Sequence, residues 1–158
     1  FVRLQQLVNI ENIAIIIVGD GPMREEISNR LSQVTNHVYL LGRIPPDHIP
    51  SILKNSNFHV TSSEKETRGL TVLEAFAAGI PVVAPQAGGV TENIQDGRNG
   101  LLFTPGNKES FCEKLKLLIE DSNLRKRMGR NGREAITKYS WDNAVSNLVK
   151  VWQEQIML

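Results

Sequence analysis

The sequence predicts an α/β domain, a parallel sheet covered by helices on both faces. Three observations carry that expectation. Short β-branched runs recur along the chain, amphipathic segments fall between them, and the connections are brief and rich in Gly, Pro and Asp. Strands joined in the same direction through helices form a parallel sheet.

The elements follow in order. "NIAIIIVG" (12–19) is a β-branched run ending in Gly-Asp-Gly-Pro, expected to be a fully buried strand followed by a turn. Pro22 suits the first turn of a helix over 22–34, with apolar residues at 23, 27, 31 and 34. "HVYLLG" (37–42) reads as a second strand, 46–56 as a short helix and "NFHVTSS" (57–63) as a third strand. A helix then begins near Gly69 or Leu70, and Gly79 is placed to end it. "IPVVAP" (80–85) and "LLFTP" (101–105) supply the fourth and fifth strands. From about 107 to 158 the pattern is two or three amphipathic helices packed on the sheet. Within it, "LRKRMGRNGR" is a basic run with Gly breaks, read as a solvated helix face and a turn. The opening "FVRLQQLVN" reads as the end of a helix with no strand before it. The expectation is therefore a unit that lacks its first strand.

The totals narrow the function classes. At 158 residues, 41% apolar and 22% charged, the chain reads as one domain, 1–158, able to build a proper core. A net charge of +1 gives no footprint for nucleic acid or an acidic membrane. There is no apolar run near ~18 residues, and the first apolar segment ends in Gly-Asp-Gly rather than a cleavage site. The single Cys112 cannot form an internal disulfide and reads as a buried small hydrophobe. With no glycosylation sequon, these features point to the cytosol.

The chemistry concentrates in "SSEKETRGLTVLEAFAAGIPVV", residues 62–83. Ligands of open α/β sheets bind beyond the carboxyl ends of the strands, where this loop lies. The first N–H groups of the helix after Gly69 lack internal partners, and Gly69 lets a ligand approach the backbone; both favour a phosphate. Glu74 is a lone carboxylate in an apolar helix, expected to be buried and in need of donors. It shares a face with Thr71 and leans toward the helix N-terminus. There it would accept hydrogen bonds from a cis-diol, such as a ribose next to its phosphate. Glu66 would accept hydroxyls of a second sugar, so the ligand would be a nucleotide sugar. The alternative is that Glu74 pairs with a buried arginine while Glu66 is a solvated loop charge.

The same residues resemble a known family. "ETRGLTVLEAFAAGIPVVAPQAGGVTE" is similar to the E-x7-E signature of retaining GT-B glycosyltransferases of the group 1, or family 4, type. "IVGDGPMREEI", "VYLLGRIP", "TSSEKE", "GIPVVAPQAGGVTENIQDGRNGLLFTPGN" and "SNLRKRMGRNGREAITKYSW" match in the order of that family's C-terminal, donor-binding half, a Rossmann-like fold. The resemblance implies that Glu74 holds the ribose hydroxyls and that Glu66, the catalytic-site candidate, contacts the donor sugar. The amides of Gly69, Leu70 and Thr71 would meet the diphosphate and sugar. Arg43 and Ile44 would lie along the base, and Gly19 and Gly21 would wall the cleft. Asp20, Gly88, Gly89 and Glu92 also match, with a structural role.

Arg68 departs from the pattern, where the family commonly has an aromatic or small residue. It is either a replacement cation beside the diphosphate or a side chain turned to solvent. By the same resemblance, the basic pair that neutralises the diphosphate, an Arg and a Lys-Gly, would lie upstream of Phe1. His37, His48 and His59 match no catalytic position.

The implied function is transfer of a hexose-type sugar with retention, from a UDP-sugar or alternatively a GDP- or ADP-sugar. No metal and no cofactor are implied. The acceptor, and any membrane contact, would belong to an N-terminal half, with the enzyme in the cytoplasm or at the cytoplasmic face of a membrane. By itself the domain is expected to bind nucleotide weakly and to catalyse nothing. Three rivals stand beside this. A nicotinamide oxidoreductase would need a third glycine where "GDGPMR" has Met23-Arg24. A non-catalytic nucleotide-binding module and a nucleotide-sugar epimerase of the same architecture are the others.

Overall fold

The computed structural model describes residues 3–33 and 35–156. Its five strands are β1 (Ile15–Val18), β2 (Val38–Gly42), β3 (His59–Val60), β4 (Val82–Pro85) and β5 (Gly100–Phe103). Between and after them run α1 (Arg24–Ser32), α2 (Ile49–Lys54), α3 (Leu70–Ala78), α4 (Val90–Asn93), α5 (Lys108–Glu120), α6 (Ser122–Ala135) and α7 (Trp141–Ile156). Short 3-10 turns occupy Leu4–Gln6, Pro46–His48 and Ile136–Tyr139. The α/β alternation stands, and every strand pair is parallel.

The strands form two sheets, not one: β1-β2, and β3-β4-β5. The larger sheet carries the core on both sides, because β4 is buried at every position. Val82, Ala84 and Leu102 face α3, packing with Val72, Ala75, Phe76 and Val90. Val83, Leu101 and Phe103 face the other way, onto Cys112, Leu115 and Leu118 of α5, Met128 of α6, and Leu4. Cys112 is the buried hydrophobe the sequence suggests.

Several expectations need correction. The run over 12–19 is not a fully buried strand: β1 alternates, with Ile16 and Val18 exposed, because only one of its faces is covered. The first helix starts at Arg24, so Pro22 lies in the turn before it. None of its side chains is fully buried: Ile27 and Leu31 are half-buried and Met23 is exposed. Val34, the fourth apolar position named for it, lies outside the described residues, as do Phe1 and Val2 of the opening stretch.

The glycines of "GRNG" do not break α6, which runs through them. Both are buried because they admit α3. A methyl group on Gly129 would collide with the Gly79 carbonyl, and one on Gly132 with the Phe76 ring. Among the described residues α7 packs mainly on the turn before it, and leaves Val145, Leu148, Val149 and Trp152 exposed.

Candidate functional site

The site starts from the ends of α3. Its apolar residues Val72, Ala75 and Phe76 are spaced i, i+3, i+4 and are buried together, which orients the helix against β4. Gly79 ends it in the left-handed conformation at φ 80°, as its place in the sequence suggests. Gly69 starts it, also left-handed, at φ 62°. A side chain there would be strained, and its Cβ would lie 3.1 Å from Val90 Cγ1.

Gly69 offers no side-chain cap. The first amides to find internal acceptors are those of Val72 and Leu73, both bonded to the Gly69 carbonyl, at 2.9 and 3.2 Å. The N–H groups of Leu70 and Thr71 therefore project from the positive end of the helix dipole with no acceptor among the described residues. Both residues are exposed.

Glu74 is exposed, not buried as expected. It lies on the face of α3 opposite Val72, Ala75 and Phe76, so the cost of burying a carboxylate does not arise. It shares that outer face with Thr71, one turn nearer the free amides. No ion pair or hydrogen bond holds it among the described residues, which removes the buried-arginine alternative. Glu66 is half-buried in the loop before Gly69. The arrangement is a pair of amides without acceptors among the described residues, with a carboxylate in the preceding loop and another one turn along.

That loop is held from behind. The Gly89 amide donates to the Glu66 carbonyl at 2.7 Å, and Asn93 Nδ2 donates to the Arg68 carbonyl at 2.8 Å. Asn93 Oδ1 accepts from the Tyr139 hydroxyl at 3.1 Å. Its carbonyl accepts from Nδ2 of buried Asn99 at 3.1 Å, and Asn99 Oδ1 accepts from the Gln95 amide at 2.8 Å. The Arg68 side chain is exposed and makes no ion pair among the described residues. The sequence singles out neither Asn93 nor Asn99, and reads "QDGRNG" (95–100) as a turn. Only the helical turn α4, also unforeseen, brings them behind the loop.

Gly19, Gly21, Arg43 and Ile44 gather at the ends of β1 and β2. The Gly19 amide donates to the Gly42 carbonyl at 2.7 Å, and Arg24 Nη2 donates to the Leu40 carbonyl at 2.9 Å. A Cβ on Gly19 or Gly21 would meet nothing within 4 Å, so both border open space. Arg43 is exposed and Ile44 half-buried. This group belongs to one sheet and the Glu66–Glu74 group to the other.

Residues 1–135 match the family model of glycosyl transferases group 1. The chain belongs to that family. It is 36% identical over 139 residues to an uncharacterised glycosyltransferase of Methanocaldococcus jannaschii, covering 87% of this chain and 40% of that protein. Among solved structures, it is similar to the C-terminal domain of a group 1 glycosyl transferase of Francisella tularensis, with 30% identity and a TM-score of 0.77. That match covers 87% of this chain and 75% of that domain. Anabaena HepE, solved in complex with UDP, is 26% identical with a TM-score of 0.76, covering 90% of this chain and 41% of that one. The chain thus spans about two fifths of the M. jannaschii relative.

Proposed function

We propose that this domain binds the nucleotide-diphosphate sugar of a retaining, family 4 glycosyltransferase that transfers a hexose-type unit. The observation that carries this reading is the uncapped start of α3. The amides of Leu70 and Thr71, without acceptors among the described residues, are flanked by Glu66 in the preceding loop and Glu74 one turn into the helix. An anion at the amides matches the diphosphate, and a carboxylate there would be repelled by it unless turned to hydroxyls. Glu74 accepts the ribose diol and Glu66 the hydroxyls of the sugar. Arg43 and Ile44 lie along the base with Gly19 and Gly21 beside them. Arg68, exposed and free of an ion pair among the described residues, is a cation available to the diphosphate. The UDP complex of Anabaena HepE supports a UDP-sugar as donor.

In the reaction, negative charge grows on the departing nucleoside diphosphate. Fixed amides at a helix N-terminus stabilise that charge without reorganising. The acceptor would come from a second domain, with closure of the cleft excluding water. A cytoplasmic setting goes with a nucleotide-sugar donor. No helix among the described residues is long and apolar enough to cross a membrane.

Calorimetric titration of the full-length protein with UDP-, GDP- and ADP-sugars tests the reading, with Glu74→Ala as control. One donor should bind, and the variant should bind it roughly 10- to 100-fold more weakly, as expected for losing a charge-assisted contact of ~1.5–3 kcal/mol. Equal binding by both proteins would remove the ribose assignment.

A further inference from the structure

α6 and the 3-10 turn that continues it reach α3 at both ends. At one end the fit is steric: Gly129 and Gly132 of α6 admit Gly79 and the Phe76 ring, with no room for a methyl group. At the other end the link is polar and runs through Asn93. The Tyr139 hydroxyl, at the close of the 3-10 turn, donates to Asn93 Oδ1 at 3.1 Å. Asn93 Nδ2 donates in turn to the Arg68 carbonyl at 2.8 Å. These partners lie 46 and 25 residues from Asn93 along the chain, so the tertiary fold alone brings the three together.

Hydrogen-bond chemistry sets the direction of this relay. A backbone carbonyl can only accept, so the Nδ2 end of the carboxamide must face Arg68. The Oδ1 end then calls for a donor, and the Tyr139 hydroxyl supplies one. A carboxamide gripped at one end keeps rotational freedom that a grip at both ends removes. The bond accepted at Oδ1 also polarises the N–H groups that face Arg68. The main chain of Asn93 is anchored separately. Its carbonyl accepts from Nδ2 of buried Asn99 at 3.1 Å, and Asn131 Nδ2 of α6 donates to the neighbouring Arg98 carbonyl at 2.8 Å. Loss of the Tyr139 hydroxyl would therefore free the Asn93 side chain while its backbone stays held.

The Arg68 carbonyl shares one peptide plane with the Gly69 N–H. Gly69 is left-handed at φ 62°, and its own carbonyl accepts from the Val72 and Leu73 amides. Fixing that plane fixes the direction in which α3 starts, and with it the way the Leu70 and Thr71 amides point. We propose that Tyr139 is a positioning residue for the start of α3, acting through the Asn93 carboxamide that grips the Arg68–Gly69 peptide. Its bearing on donor binding rests on the function proposed above: a diphosphate arriving at Leu70 and Thr71 would meet amides already aimed at it.

A double-mutant cycle on the full-length protein tests this, with Tyr139→Phe, Asn93→Ala and the two combined. Tyr139→Phe removes the hydroxyl and keeps the ring. Without ligand, the amide NMR resonances of Gly69, Leu70 and Thr71 should move in Tyr139→Phe toward their positions in Asn93→Ala. Adding Tyr139→Phe to Asn93→Ala should leave them where they are. With UDP as the probe, Tyr139→Phe should weaken binding by roughly two- to tenfold. On top of Asn93→Ala it should change binding by less than about twofold, because a residue that acts through another has nothing left to act on. Equal effects of Tyr139→Phe in both backgrounds overturn the proposal, since packing of the ring would then account for them. So do Gly69–Thr71 resonances left at their wild-type positions, or wild-type UDP affinity in Tyr139→Phe. Coupled resonance shifts in a protein that binds no UDP would support the positioning role and remove the donor reading instead.

Discussion

The amide of Gly89 donates a 2.7 Å hydrogen bond to the carbonyl of Glu66, and the two backbones lie too close for any side chain between them. A methyl group on Gly89 would collide with the Thr67 carbonyl, and one on Gly88 would come within 2.8 Å of the Glu66 carbonyl. Gly88 also sits at φ 60°, where other residues are strained. The structural role expected of these glycines is thus to hold the glutamate loop. Gly89→Ala should cost about 1–3 kcal/mol through overpacking, and donor affinity should fall with it. Thermal melts and nucleotide titration of the same variant check both effects. An unchanged melt would show that the loop can move aside freely.

Asn93 acts on the same loop by a hydrogen bond instead of by close packing. Asn93→Ala removes the 2.8 Å bond to the Arg68 carbonyl and the 3.1 Å contact with the Tyr139 hydroxyl. Stability should drop by about 1 kcal/mol for each neutral bond lost. Protease cleavage within residues 64–68 should become faster, since the loop would lose an anchor. Cleavage at the wild-type rate would count against this tether.

The two glutamates should be separable by ligand. Under the proposed function, Glu74 contacts the ribose and Glu66 the sugar. Glu74→Ala should therefore weaken the free nucleotide and the nucleotide sugar alike. Glu66→Ala should weaken only the nucleotide sugar, by about 10-fold or more if one charge-assisted contact is lost. Titrating both variants with the nucleoside diphosphate and its sugar gives the four affinities needed. A Glu66→Ala protein that loses both ligands equally would point to loop disruption in place of sugar contact.

Much of this was legible because it is local. Alternation of β-branched runs with amphipathic segments gave the strand order in sequence, and Gly79 gave the end of α3. What depends on neighbours was not. "NIAIIIVG" has the composition of a buried strand, yet β1 is half exposed because burial depends on what covers it. Glu74 looked buried because its flanks are apolar, but helical geometry places it opposite Val72, Ala75 and Phe76. Gly129 and Gly132 looked like breaks, since glycine is a poor helix former. They sit inside α6 because contact with Gly79 and Phe76 outweighs that preference.

That contact makes a prediction of its own. Bulk introduced at the seam between α3 and α6 must push α3 outward, and α3 carries the proposed donor site at its other end. Gly132→Leu should destabilise the domain by about 1–3 kcal/mol or more, as overpacking does. Gly97→Ala tests turn strain alone: its φ is 77°, while no atom lies within 4 Å of a Cβ there. Comparing the two melts separates collision from backbone preference.

His59 supplies a pH test. Burial lowers its pKa below the usual 6.5, and its Nε2 has no hydrogen-bond partner among the described residues. On β3 it pairs in register with Val82, whose side chain packs with α3. Below pH 6.5 the unfolded chain takes up a proton more readily than the folded protein does, because burial disfavours the charged ring. This contribution to stability is therefore present above 6.5 and is lost as pH falls from there toward the folded-state value. The slope contributed is at most about 1.4 kcal/mol per pH unit for one proton. Denaturant midpoints measured from pH 7.5 down to 5 should fall less steeply in His59→Leu than in the wild type. The same slope in both would mean that the folded protein protonates His59 as readily as the unfolded chain does.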